Sequence, residues 1–170
     1  MRATASSVTT IVLKAALIVL SDRVASGERV DACIPVMKEK LGAAYTVVRE
    51  TIQPDDPGAL AAELIDLADA NAADLILTSG GTGLAARDRT PQATAAILDY
   101  EVPGIAEAIR AAWVPSVKTA MLLRALAGVR HRTLIVNLPG SPKAVGESLD
   151  VIVSVLPHAI ELLRDRVVDG

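Results

Sequence analysis

The stretch Thr78-Ser79-Gly80-Gly81-Thr82-Gly83 decides how this chain is interpreted, and it follows the short apolar run 73–77. That run predicts a buried strand that ends in a turn. Three glycines within four positions leave backbone N–H groups open to a ligand, because no side chain shields them. Converging N–H groups form a nest that suits phosphate oxygens. Because Arg87, Asp88 and Arg89 follow closely, we predict chemistry on a phosphorylated or nucleotide substrate.

The glycine stretch differs from the better-known phosphate loops. It is not a Walker A loop, because no Gly-Lys-Ser/Thr follows at the required distance. Residues 81–86 fit the loose dinucleotide fingerprint, but they follow the third predicted strand instead of the first. Pro91 also interrupts the long helix that this fingerprint needs. From these residues alone, a glycine-rich turn without a ligand stays open as the structural alternative.

The composition favours a single domain with an aliphatic core. The chain has 170 residues, of which 51% are hydrophobic, yet it has no Phe and only 2% aromatic residues. Ala, Val, Leu and Ile must then fill the core, which suits buried parallel strands covered by alanine-rich helices. The net charge of -3 and the lack of a Lys/Arg run predict that nucleic acid is not a partner.

The N-terminal region predicts neither a membrane span nor a signal peptide. The apolar residues 8–20 are interrupted by polar side chains, and the run is far shorter than the ~20 residues that a membrane helix needs. Residues 21–23 make a poor cleavage site. We expect residues 1–12 to form a loosely held tail before one domain at 13–170. We also expect no membrane contact and a cytoplasmic location, with which the single Cys33 is compatible.

Strand-like and helix-like patterns alternate along the chain. Such alternation predicts an α/β sandwich with a mostly parallel central sheet. The predicted strands cover residues 14–20, 45–51, 75–78 and 132–138. The predicted helices cover residues 32–41, 57–71, 91–98, 105–113 and 142–166, and Pro157 is expected to break the last one.

Three dipeptides predict helix starts near the ends of strands. Asp56-Pro57, Thr90-Pro91 and Ser141-Pro142 each combine a capping residue with a proline suited to the first helical position. In a parallel sheet the carboxyl ends of the strands share one edge, and ligands bind there. We therefore expect three helix N-termini to open on that edge and to favour anions.

Four separated motifs carry a family resemblance. The glycine stretch, with Arg87-Asp88, Thr90-Pro91 and Ala93-Thr94, resembles the signature of the molybdopterin adenylyltransferases, the MogA/MoaB-like family that includes the gephyrin G domain. Residues 137–143, Asn-Leu-Pro-Gly-Ser-Pro-Lys, look like its second signature. Residues 21–23 with Gly27 and Asp31 are similar to its first loop, and Pro54-Asp55 to the loop after its second strand. The resemblance covers residues 14–163.

The resemblance implies a fold and a reaction. It implies a three-layer α/β/α sandwich of the molybdopterin-binding (MogA-like) type. It further implies transfer of AMP from Mg-ATP to the terminal phosphate of molybdopterin, with release of pyrophosphate. A homotrimer is implied as well, as is a downstream partner that inserts molybdate. Because two phosphate groups must approach each other, N–H groups and Mg²⁺ are expected to neutralise their charge.

The resemblance also assigns the site. Asp88 and Asp55 match the two family aspartates, so both are expected to be catalytic and to hold Mg²⁺. A turn or cap role is the structural alternative for Asp88, whereas the neighbouring Asp56 is better explained as an N-cap. The residues expected to bind substrate or nucleotide are Ser21, Asp22, Thr78, Gly80, Gly81, Thr82, Gly83, Arg87, Pro139, Gly140, Ser141 and Lys143.

Several of these residues have a simpler structural interpretation. Ser141 and Ser21 can act as caps, Lys143 can extend into solvent, and Arg87 can form a surface ion pair. His131 and His158 have no acidic or cysteine partner in a recognisable ligand pattern, so no zinc site is expected.

Two positions depart from the family pattern, and two other functions compete. Ala32-Cys33 follows Asp31 where the family usually has a glycine, and Leu123 replaces a serine. Neither change touches the two aspartates. The main alternative is a non-catalytic molybdopterin-binding protein of the same fold, and a scaffold module is the third hypothesis.

Overall fold

The structure, a computed structural model, describes residues 11–165. Most of the predicted tail at 1–12 lies outside these residues, and that prediction stays untested. The first strand begins at Leu13. Within residues 11–165, no helix is long and apolar enough to cross a membrane.

The described residues form one six-stranded sheet with the order β2-β1-β3-β6-β5-β4. Strands β1, β2, β3 and β6 are parallel, as predicted, while β5 pairs antiparallel with both β6 and β4. The strands are β1 (Leu13–Leu20), β2 (Tyr45–Gln53), β3 (Leu75–Ser79), β4 (Tyr100–Glu101), β5 (Ala127–Arg130) and β6 (Thr133–Leu138).

The sequence interpretation missed β4 and β5. Both are short, and β5 joins β6 through a tight turn at residues 131–132. His131 adopts a φ of 52° in this turn, a conformation that Asn or Gly usually supplies in such hairpins. The turn therefore carried no recognisable sequence signal.

Helices cover both faces of the sheet and make the three layers. They are α1 (Asp22–Ala25), α2 (Cys33–Leu41), α3 (Pro57–Asp69), α4 (Thr90–Ala95), α5 (Pro103–Trp113), α6 (Pro142–Ile152) and α7 (Leu156–Asp165). Alternate residues of the central strands enter two separate cores: Leu17 packs with α2, α5, α6 and α7, whereas Ile18 packs with α3 and α4. Burial on both faces explains why the parallel strands β1, β3 and β6 are largely apolar runs, whereas the edge strand β2 is partly exposed and carries polar residues.

Two local predictions need correction. Thr90 is not the N-cap of α4: it is the first helical residue, Arg89 holds the cap position, and no side chain caps that end. The threonine is buried instead against the glycine loop. The final helical segment is broken at residues 153–155, before Pro157, which lies in the first turn of α7 because a proline there displaces no helical hydrogen bond.

A buried amide joins three elements just below the carboxyl end of the sheet. The side-chain nitrogen of Asn137 donates to the hydroxyls of Thr78 (2.9 Å) on β3 and Thr94 (3.0 Å) on α4. Its side-chain oxygen accepts from the backbone N–H of Leu126 at 3.4 Å. All three polar side chains are at most 1% exposed. The network fixes how β3, β6 and α4 meet.

Asn137→Ala should destabilise the fold by about 1–3 kcal/mol, because it leaves buried hydroxyls and an N–H without this partner. Thr94→Val is the matched control: it keeps the volume, removes one acceptor and should cost less. Urea unfolding monitored by circular dichroism measures both. Equal stability of Asn137→Ala and the wild type would contradict this role.

Candidate functional site

Four loops meet at the carboxyl edge of the parallel strands. They follow β1, β2, β3 and β6, and together with the helix starts that follow them they carry every residue that the sequence interpretation assigned to substrate, nucleotide or metal except Thr78, which lies within β3. The sheet order places these strand ends side by side. The predicted clustering at one edge is therefore what the fold produces.

Hydrogen bonds between neighbouring loops hold this edge together. Ser79 donates its hydroxyl to the carbonyl of Pro139 at 2.8 Å, and the N–H of Gly80 donates to the carbonyl of Leu138 at 3.2 Å. The N–H of Ser21 donates to the carbonyl of Gln53 at 3.0 Å. These bonds join the loop after β3 to the loop after β6, and the loop after β1 to β2.

Cys33 adds a contact from the first loop to the last. Its sulfur lies 3.6 Å from the carbonyl oxygen of Gly140, in donor geometry. Burial raises the pKa of the Cys33 thiol, which keeps the S–H proton that this contact needs. The preceding Asp31 caps α2 by accepting from the N–H groups of Cys33 (3.0 Å) and Ile34 (2.9 Å). The departure from the family pattern thus forms a tight, well-capped loop.

The glycine loop needs glycine for space and for backbone conformation. Gly80 (φ 104°) and Gly81 (φ 65°) lie in the left-handed region that favours glycine. A side chain on Gly80 would collide with the carbonyl of Leu20, and one on Gly81 would collide with the hydroxyl of Thr90. The loop therefore packs directly against the end of β1 and the start of α4.

Three consecutive N–H groups of this loop are free to bind an anion. Among residues 11–165, the N–H groups of Gly81, Thr82 and Gly83 donate to no partner. By contrast, the N–H of Gly80 donates to the carbonyl of Leu138. Gly80 therefore allows the close packing of the loop but offers no free donor to a ligand. The predicted nest thus consists of residues 81–83.

Two carboxylates flank the nest. The place of a β-carbon on Gly83 lies 2.8 Å from Oδ2 of Asp88, and that on Gly81 lies 3.4 Å from Oδ1 of Asp55. Asp88 also accepts from the N–H of Ala85 at 3.0 Å, so it stabilises its own turn as well as facing the nest. The turn role weighed from the sequence is present, and it leaves the second carboxylate oxygen of Asp88 available.

The charge of Asp88 acts on Asp55. Burial raises the pKa of the Asp55 carboxyl above its usual 3.8, and the negative charge of Asp88 raises that pKa further. The two carboxylates therefore repel each other across the nest. A divalent cation between them would relieve that repulsion, so the pair fits Mg²⁺, which commonly takes one or two carboxylates plus phosphate oxygens and water. No group of three or more acidic, His or Cys residues arranged for a metal occurs within residues 11–165.

Asp22 supports this arrangement from the first loop. Its Oδ1 accepts from the backbone N–H of Asp55 at 2.9 Å and so fixes the loop that carries this carboxylate. Its Oδ2 forms an ion pair with the guanidinium of Arg87. The surface ion pair that was the simpler alternative for Arg87 is therefore present, at the rim of the nest. The Arg87 side chain is 64% exposed.

Three further predicted residues take the simpler structural roles that were weighed for them. Ser141 caps α6 by accepting from the N–H of Ala144 at 3.2 Å, and Ser21 caps α1 by accepting from Val24 at 3.3 Å. The side chain of Lys143 is 85% exposed and lies 3.8 Å from Glu147, one turn along α6.

Thr78 lies in the core, not on the surface of the site. Its hydroxyl is held by Asn137 beneath the loop. A direct contact between its side chain and a ligand stays a prediction that this placement does not favour. Thr82 is also largely buried, and its carbonyl accepts from the N–H of Arg124 at 3.0 Å.

An apolar cavity beside the loops was missed by the sequence interpretation. It has a volume of about 210 Å³ and lies between α5, residues 117–123 and α6, next to Pro139. Trp113 and Leu123 contribute to its wall, and the hydroxyl of Ser148 is buried there with no hydrogen-bond partner. The polar groups Thr119 and Glu147 also line it. Pro139 and Leu123 lie in stretches that the sequence interpretation had compared with the family, but no motif joins them to Trp113 and Ser148, because the lining residues come from separate elements.

Comparison with known proteins identifies the family. Residues 16–158 match the sequence model of a family described as "Probable molybdopterin binding domain". The chain belongs to this family. The molybdopterin adenylyltransferase of Escherichia coli K12 is 37% identical over 172 residues, which span 92% of this chain and 88% of that protein.

Solved structures of two molybdopterin biosynthesis proteins share the fold. The molybdopterin biosynthesis enzyme MoaB from Thermus thermophilus superposes with a TM-score of 0.84 at 45% identity, covering 89% of this chain and 96% of that one. The molybdopterin biosynthesis Mog protein from Mycobacterium ulcerans gives 0.81 at 41% identity, covering 89% and 99%. The predicted MogA-like fold and the family resemblance are confirmed.

The neighbouring residues Asp55 and Asp56 should separate function from stability in this molybdopterin-binding domain. Asp56 caps α3 by accepting from the N–H groups of Gly58 (2.9 Å) and Ala59 (3.1 Å). Asp56→Ala should cost about 1 kcal/mol of stability and leave ligand binding intact. Asp55→Asn should do the reverse. The binding of a phosphate-bearing ligand with Mg²⁺ should weaken, while the fold becomes more stable at neutral pH.

The sign for Asp55→Asn follows from the raised pKa of Asp55. A carboxyl whose pKa is raised by folding favours the protonated form, so its ionisation opposes folding above that pKa. The advantage of asparagine should be present at neutral pH and shrink as the pH falls toward 3.8. Thermal unfolding of wild type and both variants across this pH range measures it. A difference in stability between Asp55→Asn and the wild type that does not change with pH would show that ionisation of Asp55 does not oppose folding.

Proposed function

We propose that this chain is a molybdopterin adenylyltransferase, which transfers AMP from ATP to the terminal phosphate of molybdopterin and releases pyrophosphate. The observation that carries the proposal is the anion nest of residues 81–83 between the carboxylates of Asp55 and Asp88. The identity to the Escherichia coli adenylyltransferase over nearly the whole chain supports the choice of substrates.

The reaction joins two negatively charged phosphate groups. A terminal phosphate oxygen of molybdopterin attacks the α-phosphorus of ATP, and the bond to the departing pyrophosphate breaks. The free N–H groups of residues 81–83 bind phosphate oxygens and fix their orientation, which lowers the entropic and electrostatic parts of the barrier. Arg87 supplies paired donors at the rim when it releases Asp22.

Asp55 and Asp88 are proposed to hold Mg²⁺ at the nest. When bound, the ion supplies charge neutralisation for the phosphate groups and a fixed geometry for attack. Asp22 contributes indirectly, because its hydrogen bond to the N–H of Asp55 holds that carboxylate in place. Gly140 and Ser141 form the opposite wall at the N-terminus of α6, where anions are favoured. Lys143, two residues after Ser141 in the first turn of α6, adds an exposed positive charge.

The apolar cavity is proposed to receive the pterin ring. Its wall of Trp113, Leu123 and Pro139 suits a flat ring, and the carboxylate of Glu147 suits the amino-pyrimidine edge of a pterin. The unpartnered hydroxyl of Ser148 offers a further hydrogen bond inside. The proximity of Pro139 to the nest connects the ring and phosphate ends of one substrate.

The proposal includes a homotrimer that acts in the cytoplasm and hands its product to a molybdate-inserting enzyme. An exposed apolar groove at the β4 edge supports self-association, because Tyr100 and Leu162 remain 42% and 57% exposed there.

Purified protein incubated with molybdopterin, ATP and Mg²⁺ should form adenylyl-molybdopterin and pyrophosphate, and Asp88→Asn should abolish turnover with the fold intact. The asparagine still accepts from Ala85, so the turn is kept while the charge is lost. Asp66→Asn on the exposed face of α3 is the control and should keep wild-type activity. Chromatographic detection of both products measures the rate.

The outcomes distinguish the two leading functions. Near-wild-type turnover by Asp88→Asn would remove the proposed role of that carboxylate. Absence of product from well-folded wild type, together with retained molybdopterin binding, would favour the non-catalytic pterin-binding protein instead.

Ser148→Ala tests the cavity separately. Because the Ser148 hydroxyl is buried without a partner, its removal should leave the fold as stable as before or raise its stability by about 1 kcal/mol. If the hydroxyl bonds the pterin, molybdopterin affinity should fall at the same time. The exposed Ser154→Ala is the control for both measurements. Unchanged affinity in titration calorimetry would place the ring elsewhere.

A further inference from the structure

Arg124 contacts the turn that carries Asp88 at three points. Its Nε donates to the carbonyl of Gly83 at 2.7 Å, and its Nη2 donates to the carbonyl of Asp88. Its own backbone N–H donates to the carbonyl of Thr82 at 3.0 Å. One residue, about 40 positions along the chain, therefore spans the turn from the nest to the proposed catalytic carboxylate.

A second arginine holds the backbone on both sides of Arg124. Nη1 of Arg110, on α5, donates to the carbonyl of Leu123 at 3.2 Å and to that of Ala125 at 3.0 Å. The contacts form a continuous chain from α5 through Arg124 to the Asp88 turn. Without Arg110, residues 123–125 would lose their link to α5 through these carbonyls.

Both guanidinium groups bind carbonyls where arginines more often pair with carboxylates. Within residues 11–165, neither Arg110 nor Arg124 forms an ion pair. A guanidinium stays protonated at all relevant pH values, and its planar fork holds two acceptors in fixed directions. Lysine has neither the fork nor the reach to two carbonyls. The two guanidinium groups thus fix the positions of backbone carbonyls. The positive charge of Arg124 also lies beside the proposed phosphate site.

We propose that Arg124 is a positioning residue for adenylyl transfer. It fixes residues 83–88 so that the Asp88 carboxylate faces the nest, and Arg110 holds Arg124 in register. This inference rests on the proposed function for its effect on catalysis, but its effect on the turn stands without it. Arg124 acts through Asp88 and touches neither substrate nor metal in this role.

The test compares Arg124→Gln and Arg124→Lys with a matched control, Arg130→Gln. Arg130 is also half-buried and also donates to a backbone carbonyl, that of Ile97 at 2.9 Å, but it lies at the β5–β6 turn, away from the loops after β3. Both Arg124 variants should lower kcat by about 100-fold, the loss typical of a misplaced catalytic group, with little change in KM for ATP. Lysine should not rescue kcat, and Arg130→Gln should keep the wild-type value.

Hydrogen exchange supplies a readout that does not depend on activity. The N–H groups of Ala85, Asp88 and Thr90 are bonded within or next to the turn, so peptides covering 82–90 should exchange faster in both Arg124 variants and not in Arg130→Gln. If Arg124→Gln does not fold, Arg124→Lys, which keeps the charge and the stem, decides the matter.

The outcomes separate this inference from the proposed function. If the wild type forms no product, the proposed function fails and the exchange data alone decide whether Arg124 holds the turn. If the wild type is active, a near-wild-type kcat for both Arg124 variants overturns the positioning role. Unchanged exchange at 82–90 overturns it in either case.

Discussion

The close approach of backbones at the carboxyl edge of the sheet is the constraint on which the site depends. Gly80 lies directly against the carbonyl of Leu20, and the place of a β-carbon on Gly140 is only 3.4 Å from the Cα of Gly80. Strands β1, β3 and β6 are hydrogen-bonded neighbours, so the loops that follow them lie side by side with little room for side chains between them. The absence of side chains at these points lets the loops pack against each other, and the N–H groups of residues 81–83 in the same loop remain without a partner within residues 11–165.

This packing concentrates charge in a way that favours ligand binding over stability. Burial and the charge of Asp88 oppose ionisation of Asp55, and that opposition lasts until a cation or a change of pH relieves it. Arg124 and Arg110 bring positive charge close by, yet they use it to hold carbonyls and not to cancel the carboxylates. The two carboxylates repel each other in the free protein, and the same negative charge would attract Mg²⁺, whereas phosphate oxygens would bind the free N–H groups of residues 81–83.

The accuracy of the sequence interpretation depended on the range of the interactions involved. The strands at residues 13–20, 75–79 and 133–138 were found because burial on both faces makes them continuous apolar runs. Caps at Asp56 and Ser141 were correct because a cap needs only its next three residues. The prediction that Thr90 is an N-cap was wrong because its hydroxyl is buried against Gly81, a contact that no local sequence pattern indicates. Strands β4 and β5 were missed because the turn at His131 lacks the usual residues.

By itself, the sequence determined the alternating α/β pattern, the glycine-rich loop after the third predicted strand, and the family whose motifs include the two aspartates. Only the tertiary structure decided which N–H groups are free, that Asp88 faces Asp55 across the nest, and that Asp22 and Arg124 hold these carboxylates in place. The physical reason is separation along the chain. Asp22 bonds a residue 33 positions away and Arg124 one 41 positions away, so these contacts exist only once packing has set the order of the strands.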